Sequence, residues 1–183
     1  MEMKHKIVLK EIKEVLDQSN FSDKGNFIRK ILGSQQILVC GAGRVGLMMK
    51  TFAMRLNHLG LKCYYIGEMS VPKTGKGDLL IIGSGSGTTR SIVVLAEVAK
   101  SKNLEVICIT TAVNSIISNL SSSKLVINCP NKDNNSHLRE SVQPMTTLFE
   151  QSLLIVLDSL VLDLMAELNE SNLSMSERHN AIE

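Results

Sequence analysis

Residues 78–90 read DLLIIGSGSGTTR: a short apolar run, then seven residues from Gly83 to Thr89 that are all glycine or hydroxyl-bearing, then an arginine. The run has the length of a buried strand, and a helical stretch over 89–102, containing RSIVVLAEVAKS, follows at once. A strand that passes through a small-residue loop into a helix is the first half of a βαβ unit. The same order stands upstream, where ILVC at 37–40 leads through GAGRVG at 41–46 into a helical stretch at 44–59.

Working outward, three more runs rich in Val and Ile or flanked by them read as strands: CYYIG at 63, EVICIT at 105 and LVINC at 125, with a shorter helix near 114–120. Strands alternating with helices predict an α/β fold, a doubly wound five-stranded parallel sheet flanked by helices. In such sheets ligands bind beyond the carboxyl ends of the strands, where the strand order reverses. Both glycine loops begin at such ends.

Two helices are expected before the sheet, over 3–19 and near 25–32, and PNKDNNSHLRESVQPM at 130–145 is polar enough to be a loop. A long helix follows from about Thr146 to Leu168, about 35 Å at 1.5 Å per residue. Its apolar residues cover more than one stripe, so it needs cover on two sides; the sheet supplies one and a second subunit the other, which predicts a homo-oligomer. At 183 residues the chain is expected to form one domain: helices over 1–32, sheet and crossover helices over 33–130, C-terminal helices and tail over 145–183.

Composition excludes several classes. A net charge of +2 gives no field to gather polyanions, and 3% aromatic residues without Trp leave no stacking platform, so no nucleic-acid partner is expected. The stretch LLIVLDSLVLDLM at 153–165 is broken by Asp158 and Asp163 and is too short for a membrane span, and the first residues lack a signal peptide's apolar core. Cys40, Cys63, Cys108 and Cys129 form no CxxC pair and read as buried reduced thiols of a cytoplasmic protein. His5, His58 and His137 have no ligand spacing, so no metal is expected.

The two loops admit two readings. Gly41-Ala-Gly43-Arg-Val-Gly46 with Glu68 further on matches a dinucleotide fingerprint with its ribose-binding acid. Ser84, Ser86, Thr88 and Thr89 supply four hydroxyls beside free N–H groups at a helix start, enough for one phosphate group; helix capping accounts for one of them.

The two loops together with RLNHLG at 55–60, YIGE at 65–68, SVQPMTTLFEQSLLIVLD at 141–158 and MSERH at 175–179 resemble the 6-phospho-3-hexuloisomerase family, a branch of the sugar isomerase (SIS) domain superfamily. The resemblance covers almost the whole chain. It implies the flavodoxin-like strand order, a homotetramer, a phosphosugar substrate with no cofactor, and interconversion of D-arabino-3-hexulose 6-phosphate and D-fructose 6-phosphate in the ribulose monophosphate pathway of formaldehyde fixation. The chain departs from the family pattern at Val45, where a serine is usual, and in its tail, Arg178-His-Asn-Ala-Ile-Glu183.

Such an isomerisation needs a base that moves a proton between neighbouring carbons through an enediol. The family match makes Glu150, in the first turn of the long helix, the candidate base, and suggests that His179 assists ring opening or hydroxyl proton transfer in its own or a neighbour's site. Gly43, Arg44 and Glu68 are candidate substrate contacts beside the hydroxyl loop, and Glu68 is otherwise a structural partner of Arg44. Rival readings are another phosphosugar isomerase of the arabinose 5-phosphate type, a non-catalytic phosphosugar-binding module, and a dinucleotide-binding protein.

Overall fold

A computed structural model describes residues 3–130 and 141–182. Most of the polar loop expected over 130–145, and His137 with it, lies outside the described residues. Two helices, α1 (Lys4–Gln18) and α2 (Lys24–Leu32), precede the sheet. The strands are β1 (Ile37–Cys40), β2 (Cys63–Tyr65), β3 (Leu79–Gly83), β4 (Glu105–Thr110) and β5 (Ser123–Val126). Between them run α3 (Gly43–His58), α4 (Arg90–Ser101) and α5 (Ile116–Leu120); α6 (Thr147–Leu168) and α7 (Asn172–Glu177) follow.

The five strands are parallel in the order β2-β1-β3-β4-β5. In β1 and β3 every residue is buried, as expected of strands covered on both faces. Alternation divides them between two cores. Ile37, Val39, Leu79, Ile81, Ile107 and Ile109 pack with residues of α1, α2, α3 and α6, while Leu38, Cys40, Leu80, Ile82, Val106 and Cys108 pack with α4 and α5. Helix α3 therefore leaves β1 toward one face and α4 leaves β3 toward the other. The gap between them is the switch point.

Two differences from the sequence reading have physical causes. The last strand begins at Ser123 instead of Leu125, because Ser123 and Lys124 continue the ladder opposite Ile107 and Cys108. The chain leaves the sheet just beyond it, where the Cys129 N–H donates back to the Ile127 carbonyl at 2.8 Å. Helix α6 finds more cover within its own chain than expected: α1, α2 and α3 pack against it beside the sheet, and ten of its residues, from Leu148 to Leu164, are buried. What stays open on α6 is a stripe carrying Ile155, 42% exposed, and Leu162, 67% exposed.

Candidate functional site

At the carboxyl end of β1 the chain turns at Gly41-Ala42 and enters α3 at Gly43, whose φ is +56°. A side chain at Gly46 would meet the Gly41 carbonyl at 2.6 Å and the Tyr65 hydroxyl at 2.7 Å, so α3 rests directly on the strand end. The turn is closed by the Tyr65 hydroxyl, which donates to the Gly41 carbonyl at 3.0 Å.

The hydroxyl loop after β3 is organised from within. Ser84 Oγ accepts from the Gly87 N–H at 3.1 Å and Ser86 Oγ from the Thr88 N–H at 3.3 Å. The Gly85 carbonyl accepts from the hydroxyls of Thr110 and Thr111 at 3.1 and 2.9 Å, which ties the loop to the end of β4. Thr89 is the N-cap of α4 but makes no side-chain capping bond. The hydroxyl set aside for capping is therefore not spent that way, and Ser84, 4% exposed, shapes the loop.

The first turn of α6 forms the opposite wall. Phe149 lies against Gly85, where an added Cβ would come within 3.3 Å of its ring, so a side chain there would push the helix and the loop slightly apart. Glu150, 7% exposed, has both carboxylate oxygens engaged: Arg44 Nη1 donates to one at 2.9 Å and Thr146 Oγ1 to the other at 2.8 Å. Arg44 Nη1 also reaches Thr147 Oγ1 at 3.1 Å. A carboxylate this buried needs a charged partner, and the half-exposed guanidinium provides it.

These walls enclose a cavity of about 930 Å³, lined among others by Gly43, Arg44, Val45, Ser84, Ser86, Thr89, Thr111, Ser141, Gln143, Thr146, Thr147, Phe149 and Glu150. Such a volume suits a small polar metabolite. A second hollow of about 340 Å³, lined by Arg29, Lys30, Gly77, Asp78 and Glu105, lies at the other ends of the strands, away from both glycine loops. The Cys129 thiol in the wall of the larger cavity is pushed up to about 12 by burial, only partly offset by Ser152, and is no nucleophile at neutral pH.

Of the residues singled out in the sequence, Gly43, Arg44, Ser84, Ser86, Thr89 and Glu150 line this cavity. Thr88 is exposed and outside the lining. Glu68 is exposed beyond β2, outside the lining, and Arg44 pairs with Glu150 instead of with it. His179 lies outside too. Arg178 docks the tail on the far end of α3 by donating to the His58 carbonyl at 3.0 Å and to Glu170, and the rings of His58 and His179 are 5.2 Å apart. The sixteen residues of α3 span about 24 Å, so His179 sits about that far from the Arg44 end of the same helix. Hydrogen bonds from Arg178 and Ser174 hold the Glu170 carboxyl well below its ordinary range, at about 2, and so keep it a charged anchor for the tail.

The sequence reading assigned no role to Thr146, Thr147, Phe149, Ser141, Gln143 or Thr111. Five of these lie in SVQPMTTLFEQ, singled out for its resemblance, but nothing in its pattern says which of its side chains face inward. Among the described residues no three His, Cys, Asp or Glu side chains stand together as a metal site, and no helix is long and apolar enough to cross a membrane.

Residues 30–157 match the family model described as the SIS domain. A relative from Bacillus subtilis named 3-hexulose-6-phosphate isomerase is 41% identical over 155 residues, 84% of this chain and 83% of its own. One of the same name from Methanocaldococcus jannaschii is 35% identical over 154 residues, 84% of this chain and 81% of its own. A solved structure from Methanococcus jannaschii, described as inferring a 3-hexulose-6-phosphate isomerase function, superposes with a TM-score of 0.83 at 30% identity, over 98% of this chain and 99% of its own.

Proposed function

The chain belongs to the SIS domain family, and we propose on that premise that it is a 3-hexulose-6-phosphate isomerase, interconverting D-arabino-3-hexulose 6-phosphate and D-fructose 6-phosphate. The observation that carries the reading is Glu150, a buried carboxylate in the same cavity as a hydroxyl-rich loop at a helix start. Solved neighbours with other phosphosugar associations are near 20% identical and share the fold alone.

In the proposed reaction the phosphate sits against the loop from Ser84 to Thr89, held by Ser86, Thr89 and backbone N–H groups at the start of α4. The open-chain ketose then extends toward the first turn of α6. Glu150 takes the proton from C2, the C2–H electron pair forms the C2–C3 double bond, and the C3 carbonyl oxygen gains a proton. The enediol collapses as the C2 hydroxyl loses its proton and Glu150 returns its own to C3, leaving the carbonyl at C2. Arg44 and Thr146 donate to the two oxygens of the carboxylate. Substrate oxygens compete for the guanidinium and release one oxygen of Glu150 for the carbon acid, so Arg44 both holds the resting base and binds the substrate.

A coupled assay tests this reading directly: 3-hexulose 6-phosphate is generated in place and fructose 6-phosphate is detected as it forms. Turnover supports it, and well-folded protein that yields no product overturns it. Replacing both Ser86 and Thr89 by Ala is expected to raise KM about a hundredfold, through two lost hydrogen bonds to a charged group, with kcat little changed. An unchanged KM would remove the phosphate from this loop.

The remaining elements fit a homo-oligomer, with the tetramer that the family resemblance implies. The open stripe of α6 with Ile155 and Leu162 is matched on the adjoining α3 by Leu47, 55% exposed, and Met54, 42% exposed, again seven residues apart. A second copy set on this surface would bury all four, and a tail docked away from its own cavity would present His179 to a neighbour's, there to move the hydroxyl protons. Replacing Leu162 and Leu47 by Glu is expected to shift the sedimenting species to monomer; an unchanged mass would place the interface elsewhere. The four free, buried cysteines agree with a cytoplasmic location.

A further inference from the structure

The segment that carries the chain into α6 has little apolar anchorage of its own. Val142 is 73% exposed, Met145 is 99% exposed with φ at +55°, yet Ser141 and Gln143 line the cavity and Gln143 is only 9% exposed. Among the described residues, what ties Ser141, Val142 and Gln143 to another element is a carboxylate from α1. Glu11 accepts from Ser141 Oγ at 2.8 Å, from the Val142 N–H at 2.9 Å and from Gln143 Nε2 at 2.9 Å. Ser141 Oγ in turn accepts from the Gln143 N–H at 3.0 Å, which closes the turn.

The chemistry of this clamp dictates an orientation. A carboxylate only accepts, so the Gln143 amide turns its nitrogen to Glu11 and gives it one N–H, which faces the carbonyl oxygen, an acceptor, away from Glu11 and leaves it for another partner. We propose that Glu11 is a positioning residue, which turns the Gln143 amide so that Oε1 accepts a hydrogen bond from a hydroxyl of the phosphosugar in the cavity. This rests on the isomerase reading and adds to it a selective contact: a polyol chain extending from the loop brings a hydroxyl donor to that point, and inorganic phosphate seated in the loop places none there. Burial by itself would raise the Glu11 carboxyl, but the bonds from Gln143, Val142 and Ser141 together outweigh it and hold the group below its ordinary range, so the clamp stays charged at neutral pH.

Calorimetric titration of wild type, Glu11→Gln, Gln143→Leu and the double variant, with fructose 6-phosphate and separately with inorganic phosphate, tests the proposal. Glu11→Gln lets the two amides pair in either orientation and is expected to weaken fructose 6-phosphate about tenfold while inorganic phosphate stays within twofold. Gln143→Leu is expected to match it, and the double variant to lose no more than Gln143→Leu, because Glu11 acts through that residue. Fructose 6-phosphate affinity unchanged in Glu11→Gln, a parallel loss for both ligands, or additive losses would overturn the proposal and leave the isomerase reading standing. Should Glu11→Gln fail to fold, Gln143→Leu decides by the same contrast between the ligands. A wild type that binds phosphate but not fructose 6-phosphate would overturn the isomerase reading and this contact with it.

Discussion

Glu150→Gln is expected to lose ~10²- to 10⁴-fold in kcat while it folds normally and binds fructose 6-phosphate within a few fold of wild type, the scale on which a positioned general base contributes. The isosteric amide keeps the contacts that hold the residue in place: its oxygen still accepts from Arg44 and its nitrogen can donate to the Thr146 hydroxyl, where the carboxylate accepts now. Arg44 loses a charged partner but keeps Thr147 and is half exposed, so it retains solvent. Only the ability to take a proton from carbon disappears. The loss should therefore appear in kcat and in the exchange of the C2 hydrogen with solvent, measured on the same preparation. Turnover within tenfold of wild type, with exchange intact, would remove Glu150 as the base.

Gly87→Ala is expected to cost about 3 kcal/mol of stability, about 6–12 °C in Tm for a chain of this size, and to abolish phosphosugar binding. Gly87 has φ at +63°, where an added Cβ is strained by about 1–2 kcal/mol, and that atom would meet Ser115 Oγ at 1.9 Å and Ser115 Cβ at 2.4 Å. Ser115 cannot easily withdraw, because it is buried and caps α5 by accepting from the Ser118 N–H at 3.2 Å. The loop must move instead, and with it the Ser84, Ser86 and backbone groups that face the cavity. Pairing Gly87→Ala with Ser115→Gly removes the overlap, costs the cap only a few tenths of a kcal/mol, and should recover part of the melting temperature. Thermal unfolding of the two variants checks this; equal losses in both would locate the damage in the backbone angle alone.

The legible part of this protein is what nearest neighbours in sequence determine. Apolar runs of strand length, each followed by small residues and a helix, point to the parallel sheet, because a strand buried on both faces favours apolar residues throughout and a crossover needs a helix. The same local grammar placed Arg44, Ser86, Thr89 and Glu150 at strand and helix ends, and the structure gathers these into one cavity. Where the reading went further it depended on distances that no local pattern carries. Glu68 matched the spacing of a ribose-binding acid, but the residues after β2 leave it exposed outside the cavity. His179 matched a family motif, but its position was set by Arg178 docking on Glu170 and on the end of α3. The apolar wrap of α6 announced partners without naming them, and much of that cover came from α1, α2 and α3.

The sequence by itself thus determined the fold, both glycine loops and the residue types available for chemistry, because helix and strand periods and glycine's backbone freedom act over a few residues. Only the tertiary structure decided that Arg44 closes on Glu150 across 106 positions and that Glu11 holds Gln143 across 132. Those pairs exist because the switch point between β1 and β3 and the packing of α1 and α6 bring a charge and its donors together at a partly buried wall of the cavity. Such proximity between residues far apart in sequence belongs to the assembled chain.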